Sequence, residues 1–120
     1  MTPSGAANNW DCVDEQTADT TTYVSTNLAN KVETYELPDF GVLPTTVHAV
    51  VVGNKSQKQD VGPRYIRNTL TLGGTTVNGV TATPIYGQYR WTIDLFADKP
   101  GGSGWAPTDL NNIKIGVESL

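Results

Sequence analysis

One cysteine, Cys12, and one histidine, His48, are all that this chain of 120 residues offers of the side chains most used in disulfides, metal centres and proton transfer. A lone cysteine excludes an intrachain disulfide, so the fold must stand without a covalent staple. Charge is scarce too: 17% of residues are Asp, Glu, Lys or Arg, and acids prevail to give a net charge of -4. Sequence-independent binding to phosphates needs clustered Lys and Arg, so nucleic acid is not an expected partner. No apolar run approaches the roughly 18 residues of a membrane-spanning helix, so no membrane partner is expected either. The opening MTPSGAANN has neither the basic nor the apolar run of a secretory signal. The expectation is a protein made in a cytoplasm.

What is abundant instead is threonine, asparagine and glycine, with Gly 12 and Pro 7 beside 38% apolar residues. β-Branched threonine suits pleated strands, while Asn, Gly and Pro suit the turns between them, so composition favours an all-β protein. A chain of this length buries roughly two thirds of its unfolded surface around one core, which predicts a single domain. The small polar residues 1–9 read as an arm able to reach about 30 Å when extended. The domain proper spans 10–120. The arm is expected to be tied either to a neighbouring subunit or to its own domain.

Period-two alternation places the strands. TTYVST (Thr21 to Thr26) predicts a short one, followed by an Asn-rich turn and a second strand, VETYELPDF, that Pro38 ends. TTVHAVVVG (Thr45 to Gly53) carries Val47, Ala49 and Val51 on one face and His48, Val50 and Val52 on the other, the pattern of a central or interface strand. A polar connection, NKSQKQDVGP, leads to RYIRNTLTLGG, with Ile66, Leu70 and Leu72 on one face. Gly73-Gly74 and Asn78-Gly79 are turn signals. The strongest alternation is IYGQYRWTIDLF, whose Tyr89, Trp91, Ile93 and Leu95 are expected to face the core. APTDLNN predicts one helical turn capped by Thr108, and NIKIGVESL a last strand with Ile113, Ile115 and Val117 inward. About eight antiparallel strands punctuated this regularly predict a single-domain β-sandwich, jelly-roll-like in form.

Catalytic chemistry finds little support. A nucleophile needs a base beside it, and the one histidine lies in a valine-rich strand, where a structural role is expected. Cys12 is expected to be a buried or half-buried, unreactive thiol. Asp14, Glu15 and Asp94 are the carboxylates a glycosidase would draw on, but adjacent residues on a strand face opposite ways. Asp11, Asp14, Glu15 and Asp19 read as a solvated acidic loop, with calcium the alternative; their spacing matches no EF-hand. Neither an enzyme, nor a metal, nor a cofactor is expected. Among the aromatics, Trp105 follows a Gly-Gly-Ser-Gly loop and is expected to plug one end of the sandwich, a projecting contact being the alternative.

The order of features resembles a family of small tailed-bacteriophage virion proteins. Trp10, Val13, Asp14, Glu15, Thr22, Tyr23 and Val24 fit its opening, a Trp-x-x-Val-Asp-Glu segment followed by Asp- and Thr-rich residues and Tyr-Val. Trp105, Leu110, Asn111, Gly116 and Val117 fit its ending, a Trp-Thr-x-x-x-Leu-Asn segment leading to a Gly-Val strand. The chain departs from the family at KPGGSGWAP, where a Pro-Ala-Thr-Gly type of loop is usual.

The resemblance implies a non-catalytic β-sandwich virion component. The expected function is a head-decoration, or cement, protein that binds the major capsid protein as a homotrimer, with Trp10, Tyr23 and Trp105 as subunit or capsid contacts. The alternative is a minor tail or tail-fibre component with a carbohydrate-binding sandwich, stacking sugars on Tyr86, Tyr89 and Trp105. If the Trp10 segment forms the first strand, Trp10 and Tyr23 cover an open edge or end of the sandwich. Burial of one Trp would then contribute up to about 5 kcal/mol.

Overall fold

The computed structural model describes residues 1–13 and 20–120. They form an all-β protein of eight strands: β1 (Thr2–Ser4), β2 (Tyr23–Ser25), β3 (Lys31–Glu36), β4 (Val50–Ser56), β5 (Ile66–Leu72), β6 (Thr75–Asn78), β7 (Arg90–Phe96) and β8 (Lys114–Ser119). Every strand pairing is antiparallel. β3, β8, β5 and β6 make a four-stranded sheet in that order, β4 and β7 a two-stranded ribbon, and β1 and β2 a second ribbon. The pairs β3–β8, β4–β7 and β5–β6 are nested in sequence, as in an antiparallel ribbon rolled onto itself. This is the jelly-roll-like sandwich that the turn spacing predicted.

The β5–β6 hairpin shows how local chemistry sets register. Leu72 pairs with Thr75 across a two-residue loop, and both loop residues need a left-handed backbone: Gly73 has φ 57° and Gly74 φ 82°. Glycine adopts that conformation without a steric penalty, and the loop's twist matches that of the strands. The register then places Leu70 opposite Val77. Asn78-Gly79, by contrast, is not a hairpin turn. Gly79 follows β6 directly beneath the Asp94 carboxylate, where a β-carbon would overlap it.

The core gathers at one end of the sandwich. Val52, Leu70, Phe96, Trp105 and Ile113 are buried there, flanked by Leu37, Val47, Val50, Leu72, Val77, Leu110 and Ile115. Trp105 plugs this end. It bridges to Val47, and its indole N–H donates to the Phe96 carbonyl at 3.0 Å. The short helical turn after it, Pro107–Asn111, is a 3₁₀ turn held by Asp109 rather than by Thr108. The Asp109 carboxylate accepts the Ala106 N–H at 2.8 Å and pairs with Lys99 at 3.1 Å.

At the other end the layers splay into an open cleft of about 1290 Å³, lined in part by Tyr35, Asn54, Asn68 and Tyr89. The segment read as an arm borders this cleft and pairs with its own chain, Pro3 opposite Val24. The Met1 amino group reaches Glu33 at 3.2 Å, and the Cys12 thiol, buried as expected, donates to the carbonyls of Asn8 and Ser4. Trp10 does not belong to a first strand. It opens a 3₁₀ turn, Trp10–Cys12, and is 60% exposed, so the large burial term expected of it is not realised.

Two further expectations are corrected. β4 starts later than the valine run suggested, leaving His48 exposed outside it, and continues through the polar residues to Ser56. The alternation of β7 is present, but its faces are reversed: Asp94 and Phe96 are buried, whereas Trp91, Ile93 and Leu95 point outward. The cause lies on β5. Asn68, fully buried, donates to Asp94 at 2.8 Å and to the carbonyls of Val52 and Thr92, and the Val80 N–H donates to the other Asp94 oxygen at 2.8 Å. Those donors make a buried carboxylate tolerable, which frees the apolar face of the strand to turn away from the core.

Candidate assembly face and open cleft

The β4–β7 ribbon presents an apolar outer face. Strand periodicity sends Val51, Gly53 and Lys55 of β4 outward together with Trp91, Ile93 and Leu95 of β7, and the ladder aligns them as Val51 with Leu95, Gly53 with Ile93, and Lys55 with Trp91. Exposure is 61% for Val51, 60% for Trp91, 64% for Ile93 and 66% for Leu95. β7 therefore stands as a ridge of large side chains. Beside it β4 is low, because Gly53 has no side chain; the Trp91 ring and Ile93 lie 3.6 and 3.7 Å from where its β-carbon would stand. Lys55 closes one end, its Nζ 5.7 Å from the centre of the Tyr89 ring.

Beneath this face, the Asn68 and Asp94 group joins the ribbon to β5, and Asn54 adds a bond to Asn68 Oδ1 at 2.6 Å. The ribbon is thus anchored by polar bonds on its inner side and open on its outer side. Scattered apolar residues on a surface are ordinary, but a contiguous row on one sheet face is the composition of an interface core.

The sequence-derived contact residues do not converge on one surface. Trp105 is buried in the closed end, Trp10 and the half-buried Tyr23 line the open cleft, and Tyr86 is 57% exposed on a bridge to Lys58. Of the three residues expected to stack sugars, Tyr89 lines the cleft, while Trp105 has its faces enclosed by the core. Asp14, Glu15 and Asp19 lie outside the described residues; Asp11 accepts a bond from Asn8 at 3.0 Å. Among the described residues no group of three His, Cys, Asp or Glu side chains could hold a metal ion. Also among them, no helix is long and apolar enough to cross a membrane.

Titration behaviour follows local contacts. Burial, reinforced by the charge of Glu33, raises the Tyr35 phenol so that it stays neutral where it meets the cleft. The Ala106 N–H, and after it Lys99, hold Asp109 below its ordinary value of 3.8. Glu36 is lowered by its hydrogen bond to Lys114.

The outer face of the ribbon escaped the reading of β7 alone, since alternation does not say which face is inside. One signal did point to it: the valine strand is apolar on both faces, and such a strand is either central or at an interface. No protein-family model, no curated protein and no solved structure matches the chain.

Proposed function

We propose that this chain is a non-enzymatic structural protein of a bacteriophage virion, a decoration protein that stabilises the head lattice through contacts with the major capsid protein. The observation that carries the assembly role is the exposed apolar face of the β4–β7 ribbon, whose chemistry suits burial against protein rather than turnover of a substrate. The placement on a virion rests on the resemblance of the Trp10 to Val24 and Trp105 to Val117 segments. On a capsid each contact is modest, and repetition over many equivalent sites supplies the stability. Immunogold electron microscopy of intact particles, with an antibody against this domain, tests the reading. Even labelling of heads is the expected outcome, and unlabelled particles with a working antibody would overturn it.

A second reading, a tail component that binds carbohydrate, is favoured by the open cleft. Tyr89 offers a ring there, and the Oδ1 of Asn54, also in its lining, is buried without a partner among the described residues. Aromatic faces stack on sugars and amide groups bond their hydroxyls. Label confined to tails, with glycan-array binding that Tyr89→Ala abolishes, would establish this reading in place of the first.

A further inference from the structure

We infer that a second copy of this chain covers the outer face of the β4–β7 ribbon, in a two-fold arrangement that lays β7 of each copy over β4 of the other. The inference rests on the reading of that face as an assembly surface and names what it meets.

The face is shaped to meet a copy of itself. A two-fold axis running along the ribbon, between its strands, exchanges the positions of β4 and β7 while keeping each register layer opposite itself. Val51 and Leu95, one layer, then meet Leu95 and Val51 of the other copy. In the middle layer Ile93 of one copy stands over Gly53 of the other, against the Trp91 ring and the Ile93 side chain that pack beside that position in its own ribbon. In the third layer Lys55 comes over the face of Trp91, the arrangement in which an ammonium is attracted by an aromatic ring. Each contact is made twice, as an isologous pairing requires of a single patch. Between the two Lys55 ends the face carries no charge, so no like charges are brought together.

The area is sufficient. A fully exposed aromatic presents roughly 150–250 Å² and an aliphatic chain somewhat less, so four residues about 60% exposed offer on the order of 450 Å² per copy. Two copies would remove about 900 Å² from these residues alone, and the Tyr89 and Lys55 rim carries the total past the ~1,000 Å² of a specific interface. A two-fold pair on this face differs from the homotrimer expected above of a decoration protein.

Sedimentation velocity and light scattering on the full chain test this. The wild type is expected to run as a dimer. Ile93→Lys places a charge on the face and Gly53→Val crowds its middle layer; each is expected to give a monomer with the circular dichroism of the wild type, whose melting is lower and no longer depends on protein concentration. A trimer, a wild type that stays monomeric at its highest soluble concentration, or a dimer that survives both substitutions would overturn the inference. Co-sedimentation with purified phage heads separates it from the virion reading. A monomer that binds heads, and loses them on Ile93→Lys, defeats the second copy alone; a confirmed dimer with no affinity for any particle defeats the virion placement alone.

Discussion

Asn68 of β5 and Asp94 of β7 meet at 2.8 Å between the four-stranded sheet and the ribbon, with 0% and 7% of their surfaces exposed. This contact orients β7, because a buried carboxylate on its inner face is acceptable only where donors await it. Asn68→Ala removes a donor to Asp94 and to two carbonyls. Leaving such groups buried and unpaired costs about 2–4 kcal/mol. Urea denaturation should show a loss in that range, and a loss below about 1 kcal/mol would remove the pair from its orienting role.

Gly79 and Gly53 sit on opposite sides of the ribbon and should respond in opposite ways. A β-carbon on Gly79 overlaps the Asp94 carboxylate, whereas one on Gly53 stands 3.6 Å from the Trp91 ring, an ordinary contact. Gly79→Ala is expected to cost about 1–3 kcal/mol, the range for overpacking a filled site. Gly53→Ala should leave monomer stability within ~0.5 kcal/mol. Thermal melts of the two variants side by side make the comparison, and equal effects would count against it.

Two tryptophans likewise separate. Trp105 is 9% exposed and bonded to the Phe96 carbonyl, while Trp10 is 60% exposed. Trp105→Ala should therefore cost roughly 3–5 kcal/mol, enough to unfold a marginal domain. Trp10→Ala should cost less than about 1 kcal/mol. Equal melting temperatures for the two would contradict the placement of the core.

Acid should loosen the Trp105 end through Asp109. Its folded-state pKa lies below the ordinary 3.8, so its carboxylate contributes stability that is fully present above that value. The contribution is lost as pH falls from 3.8 through the depressed value, when the bonds to Ala106 and Lys99 weaken. Glu36, lowered by Lys114, acts over a neighbouring range. Stability measured against pH should thus fall less steeply below pH 4 in Asp109→Asn than in the wild type, and parallel curves would exclude Asp109 from the acid response.

Much of this was legible in the residues. Gly73-Gly74 predicts its hairpin because only glycine accepts two successive left-handed positions cheaply, and Pro38 marks a strand's end because it lacks an N–H. Ile113, next to the last strand, is buried as its alternation indicates. The assembly face was less legible. Trp91, Ile93 and Leu95 are as apolar as any core row, and nothing local distinguishes a face that meets its own sheet from one that meets another molecule.

Strand content, the Gly73-Gly74 turn and the lack of an intrachain disulfide follow from the sequence alone, since each depends on local propensity, turn chemistry or a residue count; the nested pairing and the burial of Trp105 needed partners far away in the chain. Which side of β7 turns inward was decided by tertiary structure. Alternation is symmetric about the sheet plane, and the choice is made only when Asn68, 26 residues away, supplies the hydrogen bonds that Asp94 would otherwise lose with water.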